Sequence, residues 1–277
     1  FDSAALTTVK SIPILPQLTN FTLNWAVIKR SLVSLCGSSF HVTQAACPDL
    51  SNIANKLYTT LDISHKPDLY IQQDYYINAY TTGFDKDAFI VLSSGAVDKL
   101  NDEELTFVIG HEAGHIKSGH VLYHILCANL SSILPNFPGA KALTLGSLMY
   151  WNRVSEFTAD RAGLLACQNI DAAVSAIMKM SGLPERYYDN ASIEGFEKQA
   201  KEFVDKYGGI GNKIMKFVEI VDEDHPWTVL RAAELRRWYD SGEYQAILDK
   251  TKGKLCPICK EYVDKDATEC SKCGYVF

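Results

Sequence analysis

At 277 residues, with 47% hydrophobic and 22% charged side chains, the chain can bury a substantial core as one large or two modest domains. A formal net charge of −6 without any cluster of Lys and Arg excludes the electrostatic footprint of a nucleic-acid binder. No signal peptide is visible, nor a run of the roughly 20 apolar residues that a spanning helix needs, and a chain that opens on Phe1 leaves open what precedes it.

The first segment, "KSIPILPQLTNF", carries two prolines and is predicted to be irregular rather than helical, within an N-terminal segment over residues 1–40 that packs on the core. Residues 49–62 put Leu50, Ile53, Ala54, Leu57 and Leu61 at helical spacing. "DLYIQQ" and "AFIVLSSG" read as short strands, with "YYINAYTTG" between them. A helix start follows: Asn101 as N-cap with Glu104 three residues on forms a capping box ahead of "LTFVIGHEAGHI". The apolar stretch "VLYHILCANLSSIL" at 121–134 is followed by Pro135, Pro138 and "AKALTLGSLMYW". It reads as buried helix ends and a loop, with shallow contact between 121–150 and a membrane surface as the alternative. Helical patterns return at 151–167, 171–181, 193–206 and 227–239, and a break near residue 253 sets off a Cys-, Lys- and Gly-rich tail. Strands first and helices later indicate an α+β fold. Cys36, Cys47, Cys127 and Cys167 are scattered among apolar neighbours, as buried thiols of a reducing compartment would be.

Within the helix from residue 102, His111 and His115 lie about 40° apart on one face, close enough to grip one ion, whereas His120 and His124 project about 180° from His111 and are expected to be structural. Two histidines do not complete a catalytic metal site; a third protein ligand is needed. Glu156 and Asp160, four apart in "WNRVSEFTADRAG", share a helix face and could supply it, or could be a solvated acidic face beside Arg153 and Arg161. His225 precedes a proline at a helix start, with Arg231 six residues later; alone, this pair implies no function.

Taken together, "HEAGH", "EFTAD" and "HPWTVLR", with the lead-in "PDLYIQQ", "INAYTTG" and "IVLSSGAVDKL", resemble the gluzincin metallopeptidase family that includes the CAAX prenyl protease and the HtpX heat-shock protease, over roughly residues 40–240. The resemblance implies a zincin-type fold, mostly helical with a small mixed sheet, in a peptidase domain over 41–250. It implies a catalytic zinc held by His111, His115 and Glu156, Asp160 holding a liganding histidine, and Glu112 as general base. His225 and Arg231 would lie near the metal as donors to the carbonyl oxygen, Arg231 equally as a partner for an acidic ligand. Asn78 and Ala79 would offer backbone contacts to a peptide or protein substrate added to the sheet edge. Integral-membrane members of that family carry spanning helices that this chain does not show, so prenylated substrates are not implied.

The tail, "CPICKEYVDKDATECSKCGYVF", spaces Cys256, Cys259, Cys270 and Cys273 as CxxC, ten residues, CxxC. Four thiolates close one tetrahedral shell, which predicts a structural zinc in a ribbon over 253–277 with no open position for catalysis. Such a ribbon docks on the core or recruits a protein partner. The whole then reads as a zinc endopeptidase of a reducing, cytoplasmic compartment, with membrane association left open. The alternative is a latent or catalytically silent peptidase fold serving as a scaffold.

Overall fold

The structure, a computed structural model, describes Thr7 and residues 25–83, 87–124, 138–207, 228–251, 253–259 and 261–277. The proline-bearing stretch near the N-terminus, the middle of the apolar segment at 125–137, and His225 lie outside the described residues. Contacts divide the chain into a first compact unit reaching to Ala233 and a second from Glu234 to Phe277.

In the first unit, helix α1 (Trp25–Ser38) precedes strand β1 (Phe40–His41), helix α2 (Pro48–Thr60), β2 (Asp68–Gln72), β3 (Ala79–Thr82) and β4 (Phe89–Ser93). The strands form one mixed sheet in the order β1-β2-β4-β3, with β2 and β4 parallel and both outer pairings antiparallel. The apolar run Ile90–Val91–Leu92 sits centrally and has no solvent exposure, as expected of a strand covered on both faces. A short helix α3 (Ser94–Lys99) follows, capped by Ser93, whose Oγ accepts from Ala96 N–H.

Helix α4 (Asp102–Lys117) then starts where the capping box predicts. Asn101 Oδ1 accepts from Glu103 and Glu104 N–H at 3.0 Å each, and Asn101 N–H donates to Glu104 Oε2 at 2.9 Å. Glu104 is nonetheless buried, because it also accepts from Lys179 Nζ (2.7 Å) and Ser175 Oγ (2.6 Å) of a later helix. One carboxylate thus caps one helix and ties a second to it.

The remaining elements of this unit are α5 (Pro138–Cys167), α6 (Ile170–Met180), a single 3-10 turn at Glu185–Tyr187 and α7 (Ile193–Tyr207). The helical pattern at 151–167 is therefore the C-terminal half of a longer helix. Among the described residues, no helix is long and apolar enough to cross a membrane. The molecule is mostly helical with a small mixed sheet, consistent with an α+β metallopeptidase.

The most extensive helix contact is α4 on α5. It depends on small residues. A Cβ added to Gly110 would lie 2.6 Å from Ala166 Cβ, and one added to Gly114 would lie 2.6 Å from Ala162 Cβ and 3.3 Å from Ala159 Cα. The two backbones approach closely along this seam, which brings the polar faces of the two helices together. The division between units falls inside α8 (Thr228–Asp240). The second unit continues with α9 (Glu243–Thr251) and a two-stranded hairpin, β5 (Lys254–Leu255) with β6 (Tyr262–Val263).

Candidate active site

The four-residue spacing on α4 and the close α4–α5 seam converge three buried donors. His111 Nε2 and His115 Nε2 lie 3.1 Å apart, and Glu156 of α5 places Oε2 3.4 Å from His111 Nε2 and Oε1 3.3 Å from His115 Nε2. A tetrahedral zinc about 2.0–2.1 Å from each donor requires donors about 3.3–3.4 Å apart, so the set fits one ion. His111, His115 and Glu156 are one of the groups of side chains able to hold a metal. The donor chemistry agrees: two imidazole nitrogens aimed at one point beside a carboxylate are poorly arranged for each other but well arranged for a shared cation.

The other nitrogen of His111 is fixed by Asp160, Nδ1 lying 2.9 Å from Oδ1. Asp160 is in turn gripped by Arg231, whose Nη2 donates to Oδ1 at 2.6 Å and Nε to Oδ2 at 3.0 Å, all three side chains being buried. Burial and the Arg231 charge push His111 toward its neutral form, but the hydrogen bonds to Asp160 and Glu156 outweigh them and raise its pKa from 6.5 to about 9. Burial likewise disfavours charge on Asp160, yet Arg231 and His111 keep its carboxyl below the usual range. Arg231 is held protonated against its burial by Asp160 first, then by Glu156 and Glu112.

Glu112 is buried beside the cluster, and Thr81 of β3 donates its hydroxyl to Glu112 Oε2 at 2.7 Å. Next to it a cavity of about 60 Å3 is lined by Asn78 and Ala79, by Phe107 and Val108 of α4, and by Met180. β3 is one of the two outer strands of the sheet among the described residues. The Asn78 backbone is already engaged with β4, its N–H on Ser93 Oγ and its C=O accepting from Ser93 N–H, both at 2.9 Å. Asn78 therefore does not have the free backbone expected of it. By the alternation of an antiparallel ladder, the backbone groups that point away from β4 are those of Ala79 and Thr81.

Three further expectations concern Arg231, His225, and His120 with His124. Arg231 hydrogen-bonds Asp160 through Nε and Nη2, places Nη1 4.0 Å from Glu156 Oε2, and also lines the cavity beside Glu112. His225 falls outside the described residues. His120 and His124 do not lie opposite His111, because α4 stops at Lys117 and the helical projection does not extend to them. Gly119, at φ +68°, turns the chain back, and the ring of His120 lies against that of His115 with their Nδ1 atoms 3.0 Å apart. Sequence reasoning passed over Thr81, although it lies in the quoted "INAYTTG", and over the Gly110 and Gly114 spacing that sets how near Glu156 can come.

In the second unit the four tail cysteines also converge, with Cys256 and Cys273 Sγ 3.5 Å apart and Cys259 and Cys270 Sγ 3.6 Å apart. Two knuckle-like turns present them, Cys256 N–H donating to Glu261 C=O and Cys270 N–H to Tyr275 C=O. All four sulfurs are close enough for one ion, which is compatible with a zinc ribbon.

Comparison with known proteins agrees with this geometry. The family model described as Peptidase family M48 matches residues 44–239. The chain is 30% identical over 260 residues to the plastoglobule-localized metallopeptidase 48, chloroplastic, of Arabidopsis thaliana, an overlap covering 92% of this chain and 75% of that protein. It is 26% identical over 174 residues to Protease HtpX homolog 2 of Methanosarcina mazei, covering 52% of this chain and 59% of that protein. It is 30% identical over 111 residues to a Protease HtpX homolog of Pediococcus pentosaceus, covering 40% of this chain and 35% of that protein. The matches to these two HtpX proteins thus span less than two thirds of their length.

Proposed function

This chain belongs to peptidase family M48, and on that premise we propose that it is a zinc-dependent endopeptidase with the ion held by His111, His115 and Glu156. The observation that carries the reading is the meeting of those three buried donors at 3.1–3.4 Å with a glutamate, Glu112, beside them. Bound there, zinc supplies a Lewis acid for the scissile carbonyl and a nucleophilic water at neutral pH. The protein's own groups do the rest. Thr81 holds Glu112 Oε2, leaving Oε1 to take the proton of the attacking water and return it to the leaving amide nitrogen. Asp160, clamped by Arg231, fixes the ring of His111 so that Nε2 faces the ion. By the motif resemblance, His225 supplies the donor to the carbonyl oxygen. The substrate backbone pairs with Ala79 and Thr81 at the edge of β3, and Asn78 lines the same cleft.

The tail adds a structural zinc on Cys256, Cys259, Cys270 and Cys273 in a ribbon over 253–277, following a peptidase domain over 41–250 and an N-terminal segment over 1–40. The name of the Arabidopsis relative places that protein at plastoglobules. For this chain we keep peripheral contact with a lipid surface through 121–150 as part of the reading.

Casein digested in parallel by the parent chain and by Glu112→Gln tests the assignment, with fragments read by mass spectrometry and zinc counted per chain. Fragments from the parent that disappear in a variant retaining its zinc are the expected result. Equal fragments from both would place any cleavage elsewhere. No fragments from either, with both zinc ions bound, would favour the latent or scaffold reading.

A further inference from the structure

The two histidines of the metal cluster are supported differently. His111 Nδ1 rests on a carboxylate, Asp160; His115 Nδ1 rests on a second imidazole, His120 Nδ1, at 3.0 Å. We propose that His120 is a positioning residue for the catalytic metal, accepting the Nδ1 proton of His115 and so fixing that ring with Nε2 turned to the ion. The inference rests on the zinc endopeptidase reading and assigns a role to a residue outside the three-part motif.

The local fold explains why His120 is there. α4 ends with Ser118 as its last half-helical residue, and Gly119 takes the left-handed conformation that a glycine adopts without strain. Two hydrogen bonds close the turn, Gly119 N–H to Ile116 C=O at 3.1 Å and His120 N–H to His115 C=O at 2.9 Å. This paired closure lays the second residue after the helix over the side chain one turn back from its end. At helix ends of this kind an apolar contact frequently occupies that place; here it is an imidazole on an imidazole. The seat is rigid. His120 has no solvent exposure, its ring meets Trp151 edge-on with centroids 5.4 Å apart, and Trp151 is itself fully buried.

Proton placement follows from the metal. A ring that gives its Nε2 lone pair to an ion must carry its hydrogen on Nδ1, so His115 donates and His120 Nδ1 must accept. His120 is then neutral with its own hydrogen on Nε2. The nitrogens of His115, His120 and His124 also lie within 4.8 Å of one another, a spacing open to an ion of its own. But His115 Nε2 already faces His111 and Glu156, and ions on both of its nitrogens would need a ring stripped of both protons. The hydrogen bond explains the 3.0 Å contact without that requirement.

Two variants of nearly equal shape isolate the acceptor: His120→Asn keeps an oxygen where Nδ1 stood, and His120→Leu does not. Zinc affinity of the first unit is measured by competition with a chelator, using cobalt spectra to separate this site from the thiolate cluster. His120→Leu is expected to bind about 10–100-fold more weakly than the parent, the range for loss of a group supporting a metal ligand, and His120→Asn to stay within a few-fold. Equal weakening in both variants, or parent-like affinity in folded His120→Leu, overturns the proposal. Independently of any variant, nitrogen NMR of the zinc-loaded parent must find His120 protonated on Nε2 alone; a proton on its Nδ1 overturns the proposal too. A parent chain that binds no zinc in its first unit would instead overturn the endopeptidase reading.

Discussion

At the scale of single residues, the site is a competition among protons, charges and an ion. His111 has its pKa raised from 6.5 to about 9 because Asp160 and Glu156 hold its charged form more strongly than burial and Arg231 oppose it. A raised pKa means that the proton stabilises the metal-free fold fully below about 6.5 and that this contribution is lost as pH rises through about 9. Zinc needs the same nitrogen lone pair, so uptake at pH 7 should expel close to one proton from His111, with affinity rising up to tenfold per pH unit until about pH 9. Calorimetric titration in two buffers of different ionisation enthalpy reads this release; identical apparent enthalpies would contradict it. The pairing of His111 with His115 was legible in the sequence because four-residue spacing on a helix fixes a shared face, whereas Glu156, on another helix, joined them only through the motif resemblance. Thr81 was not, since a hydroxyl on a strand meets a glutamate on a distant helix only through tertiary packing.

At the scale of elements, α4 is legible at its start and illegible at its end. The capping box is a local pairing of Asn101 with Glu104 and appears as the sequence predicts. The end depends on Gly119 adopting a positive φ, and a helical projection carried past it puts His120 on the wrong side. The seam between α4 and α5 makes a sharper test of what sets the metal distances. A helical Gly→Ala change ordinarily stabilises by about 0.4–1 kcal/mol through the unfolded chain. At Gly114 the new methyl would meet Ala162 Cβ at 2.6 Å, and Ala162 has no flexible tip to move aside. Overpacking, at about 1–3 kcal/mol, should win. Gly114→Ala is therefore expected to lower the melting temperature and weaken zinc binding together, as Glu156 is pushed away from His111 and His115. A melting temperature at or above the parent's would show that the seam has slack.

At the scale of the whole molecule, the proposed function assigns two metals with different duties, one to the His111, His115 and Glu156 group and one to the four tail cysteines, each inside its own compact unit. The composition break near residue 253 marks where the cysteines begin, whereas the contacts group residues from Glu234 onward with them, because α9 and the hairpin share surface: a Cβ on Gly253 would meet Val263 C=O at 2.4 Å, and Ala246, Lys250 and Val263 line one groove. The core around the cysteines is meagre, Cys256, Val263 and Cys270 with Cys259 and Ala267 packed against them. So small a cluster leaves most of the folding energy to the ion, on the order of 10 kcal/mol for a structural zinc site. Cys256→Ser removes one of four thiolates and should unfold the tail, reducing bound zinc from two per chain to one. The remaining ion should be the one held by His111, His115 and Glu156, and cleavage dependent on Glu112 should persist. Zinc counted per chain alongside casein digestion decides the matter. Loss of both ions in Cys256→Ser would mean that the tail is a required part of the catalytic fold, whereas retention of one ion with intact cleavage would leave the tail free to serve a partner.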